Sequence, residues 1–436
     1  MTHQSTRQIW FAYAMGITSG VLFALIYQRM QEPQMEPDLR QYADVRNFVR
    51  GNFVQPIDGP DILDRSLHGM ARSLDPYSRF YNAEESARLE NETAGNYYGI
   101  GIAMRRMEGK QRVLFCMPSS PAELAGLLPG DELVRIDGDV VADLSSSDFG
   151  KRLRGTQGSQ VALQIKRLDG TEFDANVERG LVADPSIRHI EMIPDTPGIA
   201  YLSIKTFSRR TALEFDAAMD DLAEQGMNGL ILDLRGNLGG VMETALSVSR
   251  RLIPEGLLLR TEGKHEVESH EARSAEAIWK DIPLVVLVDG NSASASEILA
   301  GALQDHRRAA IVGSPTYGKG MVQTIRRFPK YGTKVKVTTA YYYTPSGRLF
   351  ERSSEEGREY GLVPDVVIGL DRDVQRTVDT YLDSYGAPTA ARAEIRAWEQ
   401  QDGITVMPRV PQEAQFSVAL DLLLGRHPSI ARTATK

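Results

Sequence analysis

Two uninterrupted apolar segments, each followed by small residues, constrain the fold of this chain most. Residues 229–234 (Gly-Leu-Ile-Leu-Asp-Leu) precede a glycine-rich loop at 235–240, and a predicted helix follows over 242–252. Residues 284–288 (Leu-Val-Val-Leu-Val) precede a second run of small residues at 289–296. A strand without polar alternation is typical of a parallel sheet that is covered on both faces. The pattern therefore predicts an α/β core.

The composition is that of a folded protein with more than one domain. The chain has 436 residues, 42% of them hydrophobic and 25% charged, enough for two or three domains. A net charge of −8 disfavours a general nucleic-acid surface, which needs clustered Lys and Arg. Cys116 is the single cysteine, which excludes a disulfide within the chain. Its apolar neighbours indicate a packed thiol rather than a nucleophile.

The small residues after the second apolar segment contain a candidate nucleophile. Ser294 stands at a predicted strand-to-helix turn, where close backbone amides and the helix dipole would stabilise an oxyanion. Lys319, flanked by Gly318 and Gly320, could serve as its base if burial lowers the lysine pKa. Ser294-x-x-Glu297 also fits a capping box, which is the commoner reason for such a pattern. The local residues leave both interpretations open.

Three motifs in order give this region a resemblance to a known family. Ser-Ala-Ser-Ala-Ser-Glu-Ile begins at 292, Ala-Gly-Ala-Leu-Gln-Asp-His at 300, and Tyr-Gly-Lys-Gly-Met-Val-Gln at 317. Together they resemble the carboxyl-terminal processing proteases, also called tail-specific proteases. The resemblance implies that Ser294 is the nucleophile, Lys319 the general base and Gln323 the residue that orients the lysine. It also implies a crotonase/ClpP-like α/β protease core, and no cofactor or metal.

The glycine loop is a candidate for the second oxyanion donor. A loop of this kind exposes backbone N–H groups, although a tight turn without any ligand has the same composition. In the family a glycine amide of this loop acts beside the amide that follows the serine. The resemblance thus implies Gly239 or Gly240 together with Ala295. Leu238 stands where the family usually has proline, so we expect a less rigid loop.

Residues 95–180 resemble a PDZ domain with short strands and turns. The sequence predicts a short helix within 120–127, a strand at 132–136 and a hairpin-type turn at 137–138. PDZ domains bind extended peptide tails, whose carboxylate is held by the amides of a glycine loop. Residues 98–101 occupy the place of that loop: Tyr98, Gly99, Ile100 and Gly101. The alternative is a β-rich module that only packs on the protease.

The amino terminus predicts a membrane segment. Residues 9–27 carry no charge and lie between Arg7 and Arg29, which is just long enough to span a bilayer as a helix. No clear cleavage site follows, so an uncleaved anchor is favoured over a removed signal peptide. The resemblance implies a catalytic body outside the cytoplasm, on the periplasmic side of an inner membrane.

The remaining segments complete the predicted organisation. Residues 38–92 show helical spacing with a turn at Asp75-Pro76-Tyr77-Ser78, and residues 334–342 favour a strand. Glu351 begins a charged segment, 351–360, that is expected to be a solvated loop. Two helices are expected near 374–385 and 416–424, separated by a polar segment, and the resemblance implies a homo-oligomer. The predicted regions are a membrane or signal segment at 1–30, a helical region at 31–94, the PDZ domain at 95–180, the protease core at 181–370 and a helical region at 371–436.

Other catalytic sites find little support. His265 and His270 are too isolated to suggest a metal pair, and His306 lies 12 residues beyond Ser294, roughly 18 Å along a helix. The sequence predicts an endopeptidase that captures a protein tail with its PDZ domain, with an activator or adaptor protein as a possible partner. The alternative is a membrane-anchored PDZ scaffold whose protease core is inactive or activated by a partner.

Overall fold

The computed structural model describes residues 36–352, 360–407 and 409–426. The predicted membrane segment at 9–27 lies outside these residues. No helix in the described ranges is long and apolar enough to cross a membrane. The chain divides after Ser73 into two compact units.

The described part of the amino-terminal unit, residues 36–73, contains the helices α1 (Pro37–Asn52) and α2 (Gly59–Arg72). The Asp58 carboxylate accepts the Asp61 amide at 2.8 Å and so caps α2. An apolar groove of about 340 Å³ runs between the helices, with Tyr42 and Val49 in its lining.

The prediction of helix throughout 38–92 is wrong in one place. After the turn at Asp75, which accepts the amides of Tyr77 and Ser78, the chain forms a short strand, β1 (Arg79–Tyr81). Only three residues long, this strand gives no periodicity of its own and forms by pairing with a distant strand, β18 (Thr333–Tyr343). Helix α3 (Ala83–Ala94) follows, with a capping box at its start.

A six-stranded sheet forms the centre of the second unit. Its order is β10-β11-β12-β15-β16-β19, and every neighbouring pair is parallel except β10 with β11. The strands are β10 (Ile187–Met192), β11 (Ile199–Ile204), β12 (Gly229–Asp233), β15 (Leu284–Val288), β16 (Ala310–Gly313) and β19 (Val366–Val367). The predicted strands at 229–234 and 284–288 are confirmed as neighbours in a parallel sheet.

Helices cover both faces of this sheet. Three of them, α6 (Thr211–Glu224), α7 (Met242–Leu252) and α8 (Ala295–Asp305), pack on one face, which Leu230 and Val286 share with them. Residues of opposite parity, such as Ile231 and Val285, pack with carboxyl-terminal helices on the other face. Burial on both faces explains why these strands show no polar alternation.

A second, antiparallel sheet carries the segment after the lysine. Its path is β1-β18-β13-β14, and β17 also pairs with β18. The strands are β13 (Leu257–Gly263), β14 (Val267–Glu271), β17 (Met321–Phe328) and β18 (Thr333–Tyr343). The predicted strand at 334–342 is thus confirmed as part of β18.

A separate antiparallel sheet with its own core forms the β-rich module. Its path is β3-β4-β5-β7-β8, with β6 beside β5, while β2 pairs with β9. The strands are β2 (Asn96–Gly99), β3 (Ile102–Met107), β4 (Lys110–Cys116), β5 (Glu132–Ile136), β6 (Asp139–Val140), β7 (Gln160–Lys166), β8 (Glu172–Glu178) and β9 (Gly180–Ala183). Two helices complete the module, α4 (Pro121–Leu124) and α5 (Ser146–Leu153). The strand predicted at 132–136 is confirmed, and burial raises the pKa of Cys116 to about 12, as expected of a packed thiol.

Three helices end the described chain: α9 (Arg372–Asp383), α10 (Thr389–Asp402) and α11 (Ala414–Leu423). Helices α9 and α11 match the two predicted ones. The polar segment between them is present, but the prediction of two helices is wrong because this segment forms a third helix, α10. Ile395 and Trp398 of that helix are buried against the β-rich module, so a tertiary contact supports a helix with a mostly polar sequence.

Candidate active site

Ser294 lies at a sharp turn between strand β15 and helix α8. Its backbone has φ 56° and ψ −113°, a left-handed conformation that is strained for a residue with a Cβ. The Asp289 carboxylate fixes the start of this turn by accepting the amides of Asn291 and Ser292, each at 3.0 Å. A strained serine between a strand and a helix is the arrangement that presents a nucleophilic hydroxyl at the edge of a sheet.

Asn237 of the glycine loop holds that loop against the serine turn. Its carbonyl accepts the Ala293 amide at 3.0 Å and the Ser296 hydroxyl at 2.9 Å. Its side-chain amide donates to the Ile204 carbonyl at 2.8 Å. The glycine loop after β12 and the serine turn after β15 are therefore joined directly by hydrogen bonds to the Asn237 carbonyl.

The three predicted oxyanion donors differ in their hydrogen bonding. The Gly239 amide already donates to the Asn237 side chain at 2.9 Å. Among the described residues, the amides of Gly240 and Ala295 have no hydrogen-bond partner. This favours Gly240 over Gly239 as the glycine that would complete the pair with Ala295.

Gly239 has a different requirement, which is space. A Cβ at this position would lie 2.7 Å from the Ala293 carbonyl oxygen and 2.8 Å from the Ser294 Cβ. Its φ of 99° also favours glycine. Close approach of the loop to the nucleophile therefore explains this glycine.

Glu297 connects the serine turn with the lysine segment. Its buried carboxylate accepts the amides of Ser294 at 2.7 Å and Lys319 at 2.9 Å on one oxygen. The other oxygen accepts the Thr316 hydroxyl at 2.6 Å and the Gly318 amide at 2.7 Å. The capping bond from Glu297 to the Ser294 amide is thus present, but the same side chain does more than cap a helix, which the sequence pattern did not indicate.

Lys319 is half-buried, and its ammonium lies 4.7 Å from the centre of the Tyr77 ring. Burial lowers the pKa of Lys319 and the charge of Lys336 lowers it further, whereas Glu351 opposes this shift. Within the described residues the ammonium makes no hydrogen bond to Ser294. A lowered pKa suits a general base, while the contact with an aromatic ring stabilises the protonated form.

Among the described residues, Gln323 makes no hydrogen bond to the lysine ammonium. Its side-chain amide donates to the Met321 carbonyl at 3.1 Å and to the Thr338 hydroxyl at 3.4 Å. The structure thus brings Ser294 and the backbone of Lys319 together around Glu297, but leaves the side chains of Lys319 and Gln323 outside a hydrogen-bonded relay.

Two further residues of this region were not singled out by the sequence. Tyr77, from the Asp-Pro-Tyr-Ser turn, packs on Lys319. Glu351 accepts the Gly320 amide at 2.7 Å and is half-buried, so the expectation of a solvated loop is wrong at its first residue. Most of the rest of that loop, 353–359, lies outside the described residues. Both contacts join residues that are distant in the sequence, so no local pattern predicts them.

The predicted peptide-binding loop joins β2 to the edge strand β3. The Ile100 carbonyl accepts the Ala122 amide at 2.8 Å, and the Gly101 carbonyl accepts the Met117 amide at 2.8 Å. With the carbonyls turned inward, the Gly101 amide has no partner among the described residues, whereas the bridge between Gly99 and Arg154 places the Ile100 amide against the Leu153 carbonyl. Tyr98 and Gly99 belong to β2, where they pair with β9, so they contribute structure to the loop rather than free donors.

Metal ligands and histidines are the alternative sources of catalytic chemistry in this chain. In the described part of the chain no group of three or more His, Cys, Asp or Glu side chains could hold a metal ion. His306 ends helix α8, and its ring donates to the Leu257 carbonyl at 2.6 Å.

Comparison with known proteins agrees with this architecture. The model of peptidase family S41 matches residues 198–368, and a PDZ-domain model matches residues 116–167. A carboxy-terminal-processing protease of Bartonella bacilliformis is 31% identical over 400 residues, covering 89% of this chain and 88% of its own length. The carboxy-terminal processing protease CtpA of Bacillus subtilis is 31% identical over 320 residues, covering 73% and 67%.

A third relative gives the same result. The carboxyl-terminal-processing protease of Synechocystis is 31% identical over 385 residues, covering 87% of this chain and 81% of its own length. These alignments include both the β-rich module and the parallel-sheet core. The chain therefore belongs to the carboxyl-terminal processing proteases, serine-type enzymes of peptidase family S41 that carry a PDZ domain.

Proposed function

We propose that this protease cleaves peptide bonds through Ser294 and Lys319. Neutral Lys319 takes the proton of the Ser294 hydroxyl while its oxygen bonds to the scissile carbonyl carbon. The amides of Gly240 and Ala295 stabilise the oxyanion. Lys319 then gives the proton to the leaving amine as the C–N bond breaks, and water hydrolyses the acyl-enzyme. Gln323 holds the lysine during these steps.

The bonding of Glu297 carries this proposal. One buried carboxylate accepts amides from both Ser294 and Lys319, so the nucleophile and the base lie on backbone segments with a common anchor. The strained φ of Ser294 supports a functional role for the turn. A crotonase/ClpP-like core is proposed on the same basis, as the fold that places such a turn at the edge of a parallel sheet.

We propose that the PDZ domain captures the carboxyl end of a protein substrate. Strand β3 is at the edge of its sheet among the described residues, so an extended peptide could add to it. The Gly101 amide is suited to a terminal carboxylate, and the Ile100 amide could join it if its bridge to the Leu153 carbonyl opens. The Lys319 ammonium makes no hydrogen bond to Ser294 among the described residues, which fits regulation in which the peptide or an activator protein completes the site.

The location and assembly of the protein are proposed from its sequence and its family. We propose that residues 9–27 anchor the chain in the inner membrane with its catalytic body on the periplasmic side, because this uncharged segment is long enough to span a bilayer. We further propose a homo-oligomer. Alkaline extraction of membranes tests the anchor: the full chain should stay in the pellet, whereas a chain beginning at residue 31 should not. Release of both would contradict it.

An unfolded protein with an apolar carboxyl tail tests the proposed activity. The wild-type protein should cleave it, while Ser294→Ala and Lys319→Ala should each reduce kcat by about 10⁴-fold or more. Removing one residue of a catalytic unit costs about as much activity as removing all of them. Equal cleavage by all three would contradict the mechanism. If none cleaves, even with an activator-containing membrane extract, the scaffold function is favoured instead.

A further inference from the structure

Arg235, at the start of the glycine loop, is fully buried and has three side-chain partners. Its guanidinium donates to the Asp233 carboxylate, at 2.6 Å for the shortest contact. Its Nη1 donates to Glu413 Oε1 at 2.7 Å and to Gln415 Oε1 at 2.9 Å. A buried guanidinium needs such partners, because an unpaired buried charge is strongly destabilising. The carboxyl-terminal region thus supplies two of the groups that fix Arg235.

The position of Arg235 bears directly on the oxyanion amides. Gly236, the next residue, donates its amide to Asp289 at 2.9 Å, and Asn237 then binds the serine turn. Between Arg235 and Gly240 the loop has three glycines, which impose little conformational restraint of their own. Its geometry therefore depends on anchors at its ends, and Arg235 is the anchor at the amino end.

Glu413 is itself held rigidly. It caps helix α11 by accepting the amides of Gln415 at 2.7 Å and Phe416 at 3.0 Å. Phe416 is fully buried against the six-stranded sheet, so the helix cannot shift without repacking that core. The carboxylate is consequently presented to Arg235 from a fixed element.

The same terminal segment also contacts the PDZ domain. Ile395 and Trp398 of α10 pack with Leu114 and Phe115 of strand β4, and Arg105 of β3 donates to the Val406 carbonyl. Eleven residues along the chain from α10, Glu413 meets Arg235. The segment from α10 to α11 therefore touches the peptide-binding module at one end and the base of the glycine loop at the other.

We propose that Glu413 is a positioning residue of the active site: through Arg235 it holds the glycine loop in the geometry that stabilises the oxyanion. The carboxyl-terminal helices then belong to the catalytic apparatus rather than serving only as a packing surface. The proposal rests on the proposed Ser294 chemistry for its effect on rate. Its effect on the loop is independent of that chemistry.

Two measurements on Glu413→Gln test the proposal. The substitution keeps an acceptor oxygen for the helix cap but removes the charge that faces Arg235. We expect kcat to fall by about 10- to 100-fold with KM within about 2-fold, because a small displacement of oxyanion donors has effects of this size. Hydrogen exchange of residues 235–241 should become faster at the same time.

A charge swap separates this role from a structural one. Since Arg235 Nη1 binds both side chains, Glu413→Gln combined with Gln415→Glu returns one carboxylate and one amide to it. The double variant should recover most of the lost kcat and slow the exchange again. Gln415→Glu alone controls for the lost bond between Gln415 and the Ile368 carbonyl.

Asn82→Ala is a matched control, because it removes the cap of α3 without touching Arg235. It should lower Tm and leave kcat unchanged. An unchanged kcat and unchanged loop exchange in Glu413→Gln would overturn the proposal, and so would losses that the swap does not repair. If the wild-type protein cleaves nothing, the proposed chemistry fails, but loop exchange still decides the role of Glu413.

Discussion

The two halves of the site are held in place by different means. On the serine side, the Asn237 carbonyl binds the serine turn directly, and Arg235 and Asp289 both hold the amino end of the glycine loop. On the lysine side, the backbone of Lys319 is fixed by Glu297, but its ammonium rests on the Tyr77 ring.

The difference follows from the sheets that carry them. Ser294 and the glycine loop follow adjacent strands of the buried six-stranded sheet, whereas Lys319 leads into β17 of the more exposed antiparallel sheet. A parallel sheet covered on both faces is rigid, because moving a strand disturbs two cores. We infer that the serine half is formed in advance and that engagement of the lysine side chain is the remaining step.

Gly239→Ala is expected to damage the preformed half most. The new Cβ would lie 2.7 Å from the Ala293 carbonyl oxygen, so either the loop or the serine turn must move. We expect kcat to fall by about 10³-fold, the effect of losing an oxyanion donor plus misplacement of the nucleophile. Steady-state kinetics on a short peptide measure this.

Gly138→Ala provides the comparison for backbone strain alone. Gly138 has a similar φ, 87°, but nothing within 4 Å of the position of an added Cβ. It should lower stability without lowering kcat. A Gly239→Ala enzyme with wild-type kcat would show that the loop is not held close to the serine.

Glu297→Gln should break the link between the halves. The carboxylate accepts three amides and the hydroxyls of Thr316 and Tyr342, whereas an amide side chain has a single acceptor oxygen. Each buried donor left unpaired costs about 1–3 kcal/mol, so we expect a lower Tm and kcat reduced by about 100-fold.

Asp131→Asn is the control for this change. Asp131 is also a buried carboxylate that accepts a backbone amide, that of Leu128 at 2.9 Å, but it lies in the β-rich module. It should keep wild-type kcat. Equal effects of the two substitutions would mean that Glu297 has no special part in the site.

The pH dependence of kcat/KM tests the lysine half. Because the base acts when neutral, activity should rise with pH around a midpoint below the ordinary lysine value of 10.5, as burial lowers the pKa of Lys319. Lys336→Ala removes a like charge and should raise that pKa, moving the profile to higher pH. Glu351→Gln removes an opposite charge and should move it to lower pH. Shifts in the same direction would contradict the assignment of Lys319 as the base.

Leu238→Pro should have the smallest effect. Leu238 is 71% exposed, and its amide has no partner in the described chain, so a proline removes no hydrogen bond. We expect the free energy of unfolding to rise by about 0.5 kcal/mol through a less flexible unfolded state, with kcat within about 2-fold. A large gain in kcat would show that the glycine loop is poorly held in the wild-type protein. The serine half of the site would then not be formed in advance.

The sequence predicted the elements of the core well because they are strongly patterned. Apolar runs and the glycines that follow them were enough to predict two strands, at 229–234 and 284–288, and the helix at 242–252. Strand β1 and helix α10 were missed, because one is three residues long and the other is supported by contacts with the PDZ domain. Local pattern does not contain either signal.

The candidate site shows the same division. Motifs pointed to Ser294 and Lys319, but not to Tyr77, Glu351 or Glu413, which reach the site from distant parts of the chain. Glu297 was visible as a capping residue, while its bonds to the lysine segment were not. Long-range contacts of this kind depend on the tertiary fold, so the sequence contains no regular spacing that would indicate them.

The rate at which a small fluorophosphonate phosphonylates Ser294, with release of fluoride, tests the central claim most directly. It should be measured with and without a saturating short peptide that has a free apolar carboxyl end, with the amidated peptide as control. We predict that the free-carboxyl peptide accelerates phosphonylation of the wild-type protein, and that Lys319→Ala stays slow under all conditions. Equal rates with and without peptide, together with undiminished phosphonylation of Lys319→Ala, would contradict this prediction.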